Sequence, residues 1–110
     1  MKLIKGGITA PKGFLAGSAS CGIKKSGKTD LALLYSSAPC LASGTFTTNR
    51  VKSGSVILSM ARLKKGSSRA VVVNSGNANC CVGKKEIKDA SVVTGLVARE
   101  LNLKSESVLM

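Results

Sequence analysis

Residues 68–83 read SRAVVVNSGNANCCVG, and this stretch constrains the fold more than any other part of the chain. Three consecutive β-branched valines, Val71, Val72 and Val73, favour an extended backbone. An apolar run without polar alternation predicts a strand covered on both faces. The next six positions then hold Asn74, Gly76, Asn77 and Asn79. Glycine and asparagine tolerate left-handed backbone angles, and asparagine bonds to nearby backbone, so the strand ends in a tight polar loop. Gly76 and Asn77 are expected to hold those special angles. A buried strand opening into a polar loop can line a binding site. The same composition also makes a plain turn, and composition alone favours the turn.

The other elements are arranged around this strand. The 110 residues include two phenylalanines, one tyrosine and no tryptophan, so the core is aliphatic and packed from small side chains. A chain of this length forms one domain and buries roughly two thirds of its unfolded surface. Residues 13–24 and 30–37 flank a turn at Gly27 and predict a β-hairpin, with Leu31, Leu33 and Tyr35 on one face and Ala32 and Leu34 on the other. After Pro39, the threonine-rich residues 40–49 predict a third, partly exposed strand. Residues 55–66 place Val56, Met60 and Leu63 on one helical face, with Gly66 as the stop. Residues 84–103 form the clearest helix, with an apolar stripe of Ile87, Ala90, Val93, Val97 and Leu101. The final SVLM begins a strand. The predicted order is β-β-β-α-β-α-(β), an α/β chain of layered mixed sheet and helices.

Seventeen basic residues against five acidic ones give a net charge of +12. Such a balance fits an anionic partner such as nucleic acid. The basic residues are spread along the chain, however, and their longest runs are the pairs Lys24-Lys25, Lys64-Lys65 and Lys84-Lys85. Lysine far outnumbers arginine, and few aromatic rings exist for bases to stack on. A solvated lysine-rich surface is therefore the stronger reading, and a small basic nucleic-acid-binding module the alternative. Cys21, Cys40, Cys80 and Cys81 form no C-x-x-C, and the chain has no histidine, so the usual zinc patterns are missing. The opening MKLIKGGITAPKGF lacks the apolar core of a secretory signal, and no stretch approaches membrane-spanning length. These features place the chain in the cytoplasm with free, mostly buried thiols.

Chemistry is sparse. Without histidine there is no Ser-His or Cys-His pair. The acids Asp30, Glu86, Asp89, Glu100 and Glu106 form no evident carboxylate pair or hard-metal cage. There is no P-loop and no G-x-G-x-x-G after a strand. Lys12 or Lys52 can bind a substrate carboxylate, although a surface role suits either better.

Taken in order, GGITAPKGFLAG, GIKKSGKTDLALLYS, ASGTFTTNRVKS, VVVNSGNANCCVG and KDA resemble the N-terminal part of the bifunctional ornithine acetyltransferase / glutamate N-acetyltransferase family of arginine biosynthesis. The resemblance spans nearly the whole chain. It implies an αββα-type sandwich, of which residues 1–110 are a single partial domain at the front of the α chain. It also implies transfer of an acetyl group from N-acetylornithine, or in some members acetyl-CoA, to glutamate. A threonine released by self-cleavage is the nucleophile and carries the acetyl group, and a Thr-Gly pair forms the oxyanion hole. By the same comparison both lie beyond Met110, so no catalytic residue is carried onto this chain, and residues 1–110 alone are expected to be inactive. The remaining α chain and the β chain are the implied partners in a hetero-oligomer, with no resident cofactor and no metal. Asn74, Gly76 and Asn77 become a loop supporting the active-site cleft. Three features depart from the family pattern. VKSGSV replaces an Ala-Ala-Pro-like step, and Val82 and Glu86 stand where threonine and glycine are common.

Overall fold

A computed structural model describes residues 3–110. Strands β1 (Phe14–Ala19) and β2 (Leu31–Leu41) form the expected antiparallel hairpin. Helix α1 (Gly54–Leu63) leads into β3 (Ser67–Asn74), and helix α2 (Lys85–Glu100) into a short 3-10 turn (Ser105–Ser107) and β4 (Val108–Leu109). The sheet order is β1-β2-β3-β4. β3 runs antiparallel to β2 and parallel to β4.

The predicted third strand does not exist as a separate element. β2 continues through Pro39 to Leu41, because the proline falls where its pairing with β3 is interrupted between Tyr35 and Cys40. A residue without an N–H is tolerated at such an irregularity. Residues 42–53 are not a strand, since their polar side chains close local turns instead. Asn49 accepts from Val51 N at 3.0 Å, and Thr47 accepts from Asn49 N at 3.1 Å.

Both helices form as expected, with their phases adjusted. Ser53 caps α1 by accepting from Val56 N at 3.3 Å, and Gly66 ends the turn after it with φ +70°. Val56, Met60 and Leu63 are half-buried, while Ser59 and Arg62 are buried. These two polar residues hold β4. Ser59 Oγ donates to Met110 O at 2.8 Å and accepts from Met110 N at 3.2 Å, and Arg62 donates to Val108 O. In α2 the buried line is Glu86, Ala90, Thr94 and Ala98. Ile87, expected in the apolar stripe, is 40% exposed. Small residues set this phase by letting the helix lie close to its neighbours. The Thr94 hydroxyl meets its own bonding need by donating to Ala90 O at 2.8 Å.

The core lies between the sheet and the helices. Val72, Val108, Ala70 and Ala98 form it, with Leu31, Leu33 and Tyr35 packed against it. The prediction that the valine strand is covered on both faces fails for the described residues. Val72 is 1% exposed but Val73 is 53% exposed. On that opposite face Phe14, Leu34, Val71 and Leu109 line an open hollow of about 210 Å³, bordered also by Leu63 of α1. The expectation of mostly buried thiols also fails: Cys21, Cys80 and Cys81 are exposed and Cys40 is half-buried, because three of the four sit in loops. Among the described residues no helix is long and apolar enough to cross a membrane.

Candidate functional site

At the C-terminal end of β3 a cavity of about 360 Å³ opens between the 75–84 loop, the start of α2 and Met110. Its wall is built in two anchored halves. In the first half, Gly76 has φ +95°, and a side chain there would meet Lys24 Cγ at 2.8 Å. Only glycine fits this turn without strain. Asn74 Nδ2 donates to Asn77 O at 2.9 Å, and Ser75 N donates to Asp30 O at 2.8 Å, which ties the loop to the β1–β2 hairpin. The hairpin end is itself organised by Asp30, 2% exposed, whose carboxylate accepts from Cys21 N at 2.7 Å and Lys24 N at 2.9 Å. The Cys21 amide, and after it that of Lys24, lower the Asp30 carboxyl to about 2.

Glu86 organises the second half. Its carboxylate is buried and accepts from Val82 N at 2.7 Å, Gly83 N at 3.1 Å and Gly54 N at 2.9 Å. One side chain thus fills the concave nest of amides before α2 and also satisfies a free N–H at the start of α1. Asn79 Nδ2 adds a bond to Glu86 O at 2.8 Å. Close approach of the two helices makes this geometry available, and it requires glycine at position 54. A Cβ there would stand 2.3 Å from the Glu86 carbonyl carbon and 2.5 Å from Glu86 Cβ. The VKSGSV segment, through Gly54, and Glu86 therefore meet in space.

Of the residues singled out from sequence, Asn74 and Asn77 line the cavity, while Gly76 shapes the turn behind it. Asn77 does not adopt the left-handed angle expected of it; in positions 74–79 only Gly76 does. Lys12 and Lys52 stand away from the cavity, and Lys52 Nζ donates to Asn49 O. Sequence reasoning missed Lys85 and Asp89, which both border the cavity from α2. Their signal was their spacing: residues four apart share one helix face. Glu86 was legible only as an acid in a first helical turn, where it complements the helix dipole.

The cavity thus presents asparagine amides, one cation and one anion over an apolar floor of Leu31 and Val93. That set can bind and orient a polar ligand. It holds no nucleophile paired with a base, and among the described residues no cluster of three or more metal-ligating side chains occurs.

Comparison with known proteins agrees along almost the entire chain. The chain is 50% identical over 110 residues to the arginine biosynthesis bifunctional protein ArgJ of Caldanaerobacter subterraneus subsp. tengcongensis, and 45% identical over 108 residues to that of Symbiobacterium thermophilum. Each alignment covers nearly all of this chain but 27% of the relative, so the chain spans about a quarter of their length. The crystal structure of ornithine acetyltransferase complexed with ornithine, from Mycobacterium tuberculosis, superposes with a TM-score of 0.90 at 38% identity. That match covers 94% of this chain and 56% of that one. A Bacillus halodurans ArgJ structure gives the same TM-score at 28% identity, covering 94% of this chain and 55% of its own. These matches give no support to a nucleic-acid-binding module. With the ArgJ family model matching residues 15–110, the chain belongs to the ArgJ family.

Proposed function

We propose that this chain is the N-terminal portion of a bifunctional acetyltransferase of arginine biosynthesis, which moves an acetyl group from N-acetylornithine, or from acetyl-CoA, to glutamate. The observation that carries the reading is the 0.90 TM-score, over 94% of the chain, to an ornithine acetyltransferase solved with ornithine. The chemistry of the cavity supports it. Lys85 and Asp89 offer one ammonium and one carboxylate, opposite in sign to the carboxylate and ammonium of an amino-acid substrate, and Asn74 and Asn77 add neutral donors and acceptors.

In this reading the chain binds and positions, and the bond-making groups come from the remainder of the enzyme. The acetyl-accepting threonine, freed by self-cleavage, and the oxyanion donors lie outside residues 1–110. The Glu86 and Asp30 anchors keep the cavity wall rigid, which preserves the alignment that acyl transfer depends on. The open sheet face of Phe14, Leu34, Val71 and Leu109 receives the rest of the polypeptide, completing an αββα sandwich and a hetero-oligomer of α and β chains. The assembled enzyme works in the cytoplasm without a resident cofactor.

Acetyl transfer from N-acetylornithine to glutamate is the test. It is assayed with residues 1–110 alone, and again after adding the remaining polypeptide of the Caldanaerobacter relative. Turnover is expected only in the mixture. A missing oxyanion donor alone removes roughly a hundredfold or more of the rate, and the nucleophile is missing too. Turnover by residues 1–110 alone would refute the assignment of the catalytic groups.

A further inference from the structure

Cys80 and Cys81 have no part in the anchoring of the cavity wall, yet their surroundings hold them in one place. Both thiols are free and exposed, and they stand on adjacent residues of one loop. The residues on either side are fixed. Asn79 donates to Glu86 O at 2.8 Å, and Val82 N and Gly83 N donate to the Glu86 carboxylate at 2.7 and 3.1 Å. Cys81 itself is held at φ +61°, a left-handed angle unusual for a residue with a side chain. The pair therefore sits on a short bridge with both ends pinned.

Two neighbouring thiols have two ways to react together. Direct disulfide formation is disfavoured by geometry: adjacent Cα atoms are about 3.8 Å apart across a trans peptide, closer than the roughly 4.4 Å minimum for a disulfide. A single acceptor atom placed between the sulfurs lengthens the ring and removes that restriction. Soft thiolate donors select soft acceptors, and two thiols held together bind one more tightly than either can alone.

We propose that Cys80 and Cys81 form a chelating dithiol site for a soft, thiophilic acceptor of the trivalent-arsenic class. With phenylarsine oxide each thiol gives its proton to the oxide oxygen, which leaves as water. Two arsenic–sulfur bonds replace the bonds to oxygen, and arsenic stays trivalent. No oxidant is required. Desolvation, and after it Cys81, raises the Cys80 thiol, so the reaction quickens as pH rises. Because Asn79 and Val82 both line the cavity, the adduct sits at its rim.

The test treats the chain with phenylarsine oxide, then challenges it with excess glutathione or with ethanedithiol, and follows intact mass and free-thiol count. A single phenylarsenic adduct with loss of two thiols is expected, resistant to glutathione and removed by ethanedithiol. Cys80→Ser and Cys81→Ser should each lose the glutathione-resistant adduct, while Cys21→Ser retains it. The folded chain should also hold the probe roughly tenfold or more tightly than a peptide of residues 77–83, because its thiols are held in place. Glutathione-resistant adduct in Cys80→Ser, or equal affinity for the peptide, would overturn the proposal.

Discussion

The two faces of the sheet come from the same strands but have different environments. On one face Val72, Leu33 and Tyr35 meet α2 and β4, and Val72 is 1% exposed. On the other, Val71, Leu34, Phe14 and Leu109 surround a hollow, and Val73 is 53% exposed. Alternation along a strand sends neighbours to opposite faces, so a continuous valine run supplies apolar surface to both. A chain folding as an independent unit would have polar residues on the open face. The apolar side chains there support the proposal that further polypeptide covers this face, as the helices cover the other.

That contrast can be broken, and the largest effect is expected where the covered side is tightest. Gly54→Ala forces a methyl group into the Glu86 backbone and should cost about 2–3 kcal/mol, read from the denaturant midpoint. An unchanged midpoint would show that α1 and α2 do not approach as closely as described. Next, Val72→Ala should cost about 2 kcal/mol by emptying the core. Gly76→Val belongs to the cavity rim and should cost about 1–2 kcal/mol, because a β-branched residue is strained at φ +95°.

Asp30 sharpens the comparison through pH. Its folded value of about 2 lies below the unfolded value of about 3.9, so the native chain binds fewer protons than the unfolded one. The stabilisation is present above about pH 4 and is lost as pH falls through about 2. Melting measured from pH 5 to pH 2 should show this loss, and Asp30→Asn should flatten the profile. An unaltered profile would mean that the carboxylate does not organise the hairpin end. The smallest effect belongs to the open face, where Val73→Thr should change stability by less than about 0.5 kcal/mol. If Val73→Thr costs as much as Val72→Ala, the two faces are equivalent and the contrast is lost.

Local patterns carried much of the fold. The hairpin, both helices, the valine strand and the start of β4 were legible because each depends on periodicity or on a turn glycine near in sequence. β2 was harder to read because a proline can end a strand or sit in an interrupted pairing, and only β3 decides which. Ile87 was misplaced because the phase of α2 is set by how closely Ala90, Thr94 and Ala98 pack, not by the largest apolar residues. The cysteines were expected inside on residue type alone, yet Cys21, Cys80 and Cys81 lie in loops. Asn74 and Asn77 could be found as cavity residues because they directly follow the strand. Glu86 and Gly54 could not be connected, since their contact spans 32 positions of sequence.

In the proposed function the open sheet face receives the rest of the enzyme. The most direct test is titration of residues 1–110 with the remaining polypeptide of the Caldanaerobacter relative, followed by analytical ultracentrifugation. Leu34→Glu and Val71→Glu on the open face should abolish association, while Lys88→Glu on the exposed side of α2 leaves it intact. Undiminished association by both open-face variants would contradict the claim.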